Sequence, residues 1–191
     1  MNGPAPLEYG WWLASRASGL VALLCVTITV AIGLMMAGRI SRRPGMAKAL
    51  MGIHEQTALA GLLAIAVHGI TLLGDAWLNP GPAGVVVPFV MDYRPVFTGL
   101  GISAGWLAVL LGLSFYVRKR IGTKRWRSLH RATLLVWVLG VIHTIGAGTD
   151  GQSTWMLAFV AVSSAVIVPL LVLRMRPRPA PAPRRAPVPS S

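Results

Sequence analysis

Apolar residues dominate five stretches of the chain without the polar face that an amphipathic helix would show: Gly19 to Ala37, Ala49 to Leu73, Val96 to Val117, Leu129 to Ala147 and Trp155 to Leu173. At about 1.5 Å of rise per residue, each is long enough as a helix to cross a hydrocarbon core about 30 Å thick. Lipid gives backbone groups no partner, so the pattern predicts helices, which satisfy their own. The expected fold class is an all-α integral membrane protein, a bundle of five transmembrane helices. The first stretch is too long for a cleaved leader and has only Arg16 before it, with Glu8 nearby, so it is expected to be retained.

Between the spans the connections are short, except for Gly74 to Pro95. Asn79-Pro80-Gly81-Pro82 forces turns there, and the apolar Val85-Val86-Val87-Pro88-Phe89 that follows is expected to lie along the outer membrane face as a lid. After Leu173 the sequence becomes rich in Pro and Arg, a composition that builds no core. The domain layout expected is an outer segment at residues 1–18, a transmembrane bundle at 19–173 and a disordered cytoplasmic tail at 174–191.

Charge fixes the orientation. The 18 Lys and Arg against 5 Asp and Glu give +13, which on a water-soluble chain would suggest nucleic acid. Here 54% of residues are hydrophobic and only 12% charged, too few for an ordinary soluble surface, so no nucleic-acid partner is expected and the bilayer is the solvent. The basic residues cluster at Arg39, Arg42, Arg43 and Lys48, then from Arg118 to Arg131, then from Arg174 to Arg185. Arg16 and Arg94 fall at the opposite ends of the spans, together with Glu8, Asp75, Asp92 and Asp150. The positive-inside rule then predicts N-terminus out and C-terminus in, in the cell (plasma) membrane. Trp11, Trp12, Trp77 and Trp155 are expected in an outer aromatic belt, with Trp126 in the inner one. Cys25 is the only cysteine, so no disulfide forms within the chain and no CxxC site exists.

The candidate chemistry lies in the histidines. All four, His54, His68, His130 and His143, fall in the second and fourth spans, which run in the same direction. The spacings are 14 and 13 residues, so each span carries one His toward its inner end and one about 20 Å further out. Two facing imidazoles can fill both axial positions of a haem iron, and two such pairs would place two haems at different depths. Fourteen residues at about 100° each return to within roughly 40° of one face, whereas thirteen miss by some 140°. Either the ring of His143 approaches its haem from a different side, or the fourth span is tilted, bent or locally rewound, with Gly140 as the place for it. A haem-free transporter or proton relay, or a membrane assembly protein using these histidines structurally, is the alternative. A relay would want carboxylates in the spans, where only Glu55 qualifies. Trp106 and Trp137 read as packing residues. Gly61, Gly69, Gly99, Gly101, Gly105, Gly112 and Gly140 permit close helix approach or room for a macrocycle.

The paired His spacings, with Trp12-Leu13-Ala14-Ser15-Arg16-Ala17-Ser18-Gly19, Val87-Pro88-Phe89, Trp126-Arg127-Ser128-Leu129-His130-Arg131 and His143-Thr144-Ile145-Gly146-Ala147-Gly148-Thr149-Asp150, resemble the ferric reductase-like transmembrane domain. That family is shared by ferric reductases, NADPH oxidases and the haem-binding membrane subunit of a bacterial methionine sulfoxide reductase system. The resemblance implies b-type haem, two expected, with His54 and His130 as the inner ligand pair and His68 and His143 as the outer one. Arg127 and Arg131 are candidates for the inner propionates, and Arg16 for the outer. Many members continue into flavin- and NAD(P)H-binding domains, but no Gly-rich nucleotide fingerprint occurs here. Flavin is thus expected only through a partner. The expected role is an oxidoreductase component needing a separate donor, a cytoplasmic flavoprotein or quinol. Its acceptor at the outer face would be ferric iron, dioxygen or a partner protein.

Overall fold

The computed structural model describes residues 6–38 and 45–176. The tail from residue 177, with Arg178, Arg184 and Arg185, and the first basic cluster of Arg39, Arg42 and Arg43 lie outside these residues, as do residues 1–5. The elements in chain order are α1 (Pro6–Gly38), α2 (Met46–Leu72), α3 (Gly81–Val86), α4 (Pro95–Leu113), α5 (Arg118–Ile121), α6 (Thr123–His130), α7 (Thr133–Ala147) and α8 (Thr154–Met175). Among the described residues five helical stretches are long and apolar enough to cross a membrane: α1, α2, α4, α6 with α7 as one broken unit, and α8. The protein is an all-helical, multi-pass integral membrane protein.

Packing follows from an inverted surface. Leu63, Leu110 and Val162 are each about two-thirds exposed, as expected for side chains whose solvent is lipid. Two helix pairs make the frame, α1 along α2 and α4 along α7, and α8 closes against α1. Leu23, Val30 and Leu34 of α1, Trp137 of α7 and Ile167 of α8 form one core cluster. Trp137 is buried and donates its indole N–H to Thr27 Oγ1 at 3.1 Å, a packing role as its sequence suggests. Ala108, Leu111 and Val136 form a second cluster between α4 and α7.

Three elements differ from the sequence pattern. First, α1 starts well before Gly19, running through Trp11 and Trp12. Its polar residues are satisfied in place: Ser18 donates to the Ala14 carbonyl at 2.7 Å, and Arg16 pairs with Asp150. Second, the apolar piece of the long connection dips rather than lying flat. Trp106, well inside α4, donates its indole N–H to the Val86 carbonyl at 2.8 Å, so α3 reaches below the end of the bundle. Phe89 fits the notch left by Gly99, where a Cβ would overlap its ring. Third, the fourth span is broken at residues 131–132 rather than at Gly140. Ala132, Leu134 and Leu135 donate to the carbonyls three residues back, at Leu129, Arg131 and Ala132. Such a tight turn advances about 120° per residue instead of 100°, so about three residues of it recover roughly 60° of the mismatch between His130 and His143.

At one end of the bundle lie Asp75, Asp92 and Asp150. At the other lie the basic residues of α5 and α6 and Arg174, and the two are called here the acidic and basic ends.

Candidate functional site: two facing histidine pairs

The four histidines meet in two pairs. His68 of α2 faces His143 of α7 toward the acidic end, with ring centroids 6.3 Å apart and planes at 76°. His54 of α2 faces His130 of α6 toward the basic end, at 6.1 Å and 71°. These separations exceed direct ring contact. With an imidazole–metal bond of about 2 Å and the centroid about 1 Å behind the nitrogen, two rings on opposite sides of one metal sit about 6 Å apart.

Three of the four rings are held from behind by a backbone carbonyl. His68 Nδ1 lies 2.8 Å from the Ser15 carbonyl, His54 Nδ1 3.0 Å from the Thr29 carbonyl, and His143 Nδ1 2.9 Å from the Phe97 carbonyl. A carbonyl only accepts, so Nδ1 carries the proton in all three and Nε2 is left with its lone pair, the tautomer that a metal requires. His130 alone has no partner at Nδ1. It lies instead against the Trp126 indole, centroids 4.8 Å apart and planes at 25°. Trp126 is therefore a neighbour of the site and not simply a belt residue.

Glycines make room for the rings. A Cβ at Gly19 would lie 3.1 Å from His68 Nδ1, one at Gly33 3.4 Å from His54 Cε1, and one at Gly101 would overlap the His143 ring. In all three cases the glycine stands four residues after the residue whose carbonyl holds that ring: Ser15 and Gly19, Thr29 and Gly33, Phe97 and Gly101. The two motifs in α1 are 14 residues apart, matching the 14 between His54 and His68 on its antiparallel neighbour. Gly19, Gly33 and the Ser15, Thr29 and Phe97 carbonyls are not singled out by the sequence reading. The repeat of a Ser or Thr followed by Gly at the His spacing was the signal available.

Between His68 and His143 opens a cavity of about 530 Å³, lined also by Trp12, Arg16, Asp75 and Trp106. That volume suits a cofactor-sized ligand. Between His54 and His130 the space is narrower, about 70 Å³, bounded by Thr29, Gly61, Gly112 and Thr133. Val26, Ile65 and Val136 line both cavities and form the wall between them. Arg16 is brought to the acidic-end cavity, where it pairs with Asp150 and lies over Trp12 and Trp155. Arg127 and Arg131 are not brought among the residues lining the basic-end cavity. Both are exposed, and they bond locally to the Thr123 carbonyl and the Ser128 hydroxyl.

Among the described residues no three His, Cys, Asp or Glu side chains converge on one point. Each pair supplies two ligands and suits a metal that brings the rest of its coordination with it, as haem iron does. The acidic-end pair fits haem in both ligand spacing and volume, and the basic-end pair fits in ligand spacing.

Over 140 residues, 72% of this chain, the sequence is 27% identical to the protein-methionine-sulfoxide reductase heme-binding subunit MsrQ of Bordetella pertussis. The match takes in 61% of that protein's length. No family model matches the chain. No solved structure matches it. The similarity to a heme-binding subunit supports the ferric reductase-like resemblance.

Proposed function

We propose that this chain is the haem-carrying membrane subunit of an oxidoreductase, with His68 and His143 as axial ligands of one b-type haem and His54 and His130 of a second. The observation that carries this reading is the spacing of two imidazole pairs at 6.3 and 6.1 Å, with Nδ1 bonded away from the gap in three of the four rings. The likeness to a heme-binding subunit supports it independently. When bound, the haems supply one-electron redox centres at two depths in the bilayer.

The protein's own residues orient and insulate. The Ser15, Thr29 and Phe97 carbonyls fix tautomer and ring direction, and their acceptance of the Nδ1 proton makes each imidazole a stronger donor. Val26, Ile65 and Val136 place an apolar wall between the two sites. Arg16 is the cation placed to meet a carboxylate at the acidic-end cavity. Arg127 and Arg131 contribute to the charge asymmetry that sets orientation.

By that asymmetry the basic end faces the cytoplasm and the acidic end the outside, with residues 1–18 as the outer segment, 19–173 as the bundle and 174–191 as a cytoplasmic tail. A separate flavoprotein or a quinol is the donor. The acceptor at the outer face is ferric iron, dioxygen or a partner protein.

A dithionite-reduced minus oxidised spectrum of the detergent-purified protein, with haem extracted and counted, tests this. Near two low-spin b-type haems per chain are expected. His68→Ala and His143→Ala should each remove one population, and His54→Ala and His130→Ala the other. No haem after expression with ample haem supply would overturn the reading in favour of haem-free transport or assembly.

A further inference from the structure

The two histidines toward the acidic end are seated by an exchange of rings between neighbouring helices. His143 of α7 fills the place of a Cβ at Gly101 of α4, and Phe97 of α4 fills the place of a Cβ at Gly146 of α7. Gly146 stands three residues after His143, so ligand and notch lie on one face of α7. Phe97 stands four residues before Gly101, and its own carbonyl is the one that holds His143 Nδ1, at 2.9 Å. Each helix gives the other a ring and takes one back.

The same exchange joins α1 and α2. His68 presses on Gly19 of α1, where a Cβ would lie 3.1 Å from its Nδ1, and Trp11 of α1 fills the place of a Cβ at Gly74, just past the end of α2. Trp11, Ser15 and Gly19 follow in steps of four along α1: the indole in the notch, the carbonyl that holds His68, and the notch that receives His68. At the basic end the return contact is missing. Gly33 of α1 receives His54, but a Cβ at Gly52, the glycine of α2 nearest His54 in sequence, would meet nothing within 4 Å.

One further contact closes the α4 and α7 exchange. Arg94 caps α4 in the left-handed region at φ 45°, a conformation that few non-glycine residues take. Its guanidinium donates to the Gly146 carbonyl at 2.6 Å. That carbonyl lies in the last turn of α7, where a helix leaves its acceptors without internal partners.

We infer that the exchanged rings, Phe97 at Gly146 and Trp11 at Gly74, are positioning contacts for His143 and His68, with Arg94 fixing the first. This inference rests on the haem-carrying reading. A single ring against a glycine sets how closely two helices approach. Two rings on opposite helices also resist sliding and rotation, because each is bounded by the side chains on either side of its notch. The 6.3 Å separation of His68 and His143 is thus held by the helices as well as by the carbonyls.

The test uses the full-length haem-loaded protein in detergent, with haem counted per chain and the ferric spin state read from the absorption and low-temperature paramagnetic resonance spectra. Gly146→Ala and Gly74→Ala should each convert the haem of His68 and His143 from low-spin to high-spin, or lose it. Adding Phe97→Leu to the first and Trp11→Leu to the second makes room for the new Cβ and should recover low-spin haem. Arg94→Ala should raise the high-spin share, and Arg94→Lys, which keeps a donor, should stay closer to wild type. Trp137→Phe serves as the control: it breaks the core bond to Thr27, lines neither cavity, and should lower the unfolding temperature with the spin state unchanged. Should the single glycine variants fail to fold, the double variants and Arg94→Ala decide. Wild-type spin state in Gly146→Ala, Gly74→Ala and Arg94→Ala, no recovery in the double variants, or the same spin change in Trp137→Phe would overturn the inference while leaving the haem reading intact. A wild type that binds no haem would overturn that reading, and this inference with it.

Discussion

At the scale of single residues the site depends as much on absent atoms as on ligands. Gly101 has no space for a Cβ, because the His143 ring occupies it, whereas a Cβ at Gly105 would meet Ile65 at an ordinary 3.5 Å. Gly101→Ala is expected to displace His143 at an overpacking cost of about 1–3 kcal/mol. The acidic-end haem should then be lost or become five-coordinate, with the basic-end one retained. Gly105→Ala should leave haem content near wild type, and haem counting with a ferric spectrum separates the two. The histidines were legible in the sequence because imidazoles are rare in lipid and these four share a spacing. The carbonyls that hold them were not, since a backbone acceptor has no residue signature. Gly19 and Gly33 were hidden because small residues are common wherever membrane helices approach closely. Arg16 was legible as an unusual charge, but its pairing with Asp150 joins residues more than a hundred positions apart and needs the fold.

At the scale of elements, the hydrophobic runs located every span, while their ends depended on contacts. Hydropathy stops the first helix at Gly19, yet the chain stays helical to Pro6 because the polar residues of that turn have partners in the fold. That a straight fourth span could not present both ligands alike could be read from its 13-residue spacing, but that the chain rewinds, and where, could not. Residues 131–132 take it, between a basic α6 and an apolar α7, where the chain passes from charged surface to lipid. Because α7 is fixed on α4 through Phe97 and Gly101, one alanine inserted after Ala132 should swing α6 and not α7. The expected result is a protein with about one haem per chain, the His68 and His143 haem, and loss of that haem instead would show that α6 is the better anchored element. The lid contact gives a milder case. Trp106→Phe removes one indole hydrogen bond to Val86 and should cost about 0.5–1.5 kcal/mol, read as a lower unfolding temperature with both haems kept.

At the scale of the whole molecule, charge and symmetry act together. Most basic residues gather at one end and Asp75, Asp92 and Asp150 at the other, from which the sequence predicts an orientation, whereas pairing of α1 with α2 and α4 with α7 emerges only in three dimensions. With Cys25 replaced by serine, a cysteine placed at Gln152 should react with a membrane-impermeant thiol reagent added to intact cells, and one at Lys124 only after lysis. The reverse pattern would invert the assignment of donor and acceptor faces. The two sites each have facing imidazoles, whose planes cross at 76° and 71°. Crossed axial planes leave the iron d orbitals nearly degenerate and give a strongly anisotropic low-spin ferric signal, while parallel planes give an ordinary rhombic one. The most direct measurement is the low-temperature paramagnetic resonance spectrum of the ferric full-length protein, integrated against haem content. Two strongly anisotropic low-spin components in equal amount are predicted; a dominant high-spin signal, a rhombic signal of parallel rings, or a haem-free protein would contradict the paired-histidine sites.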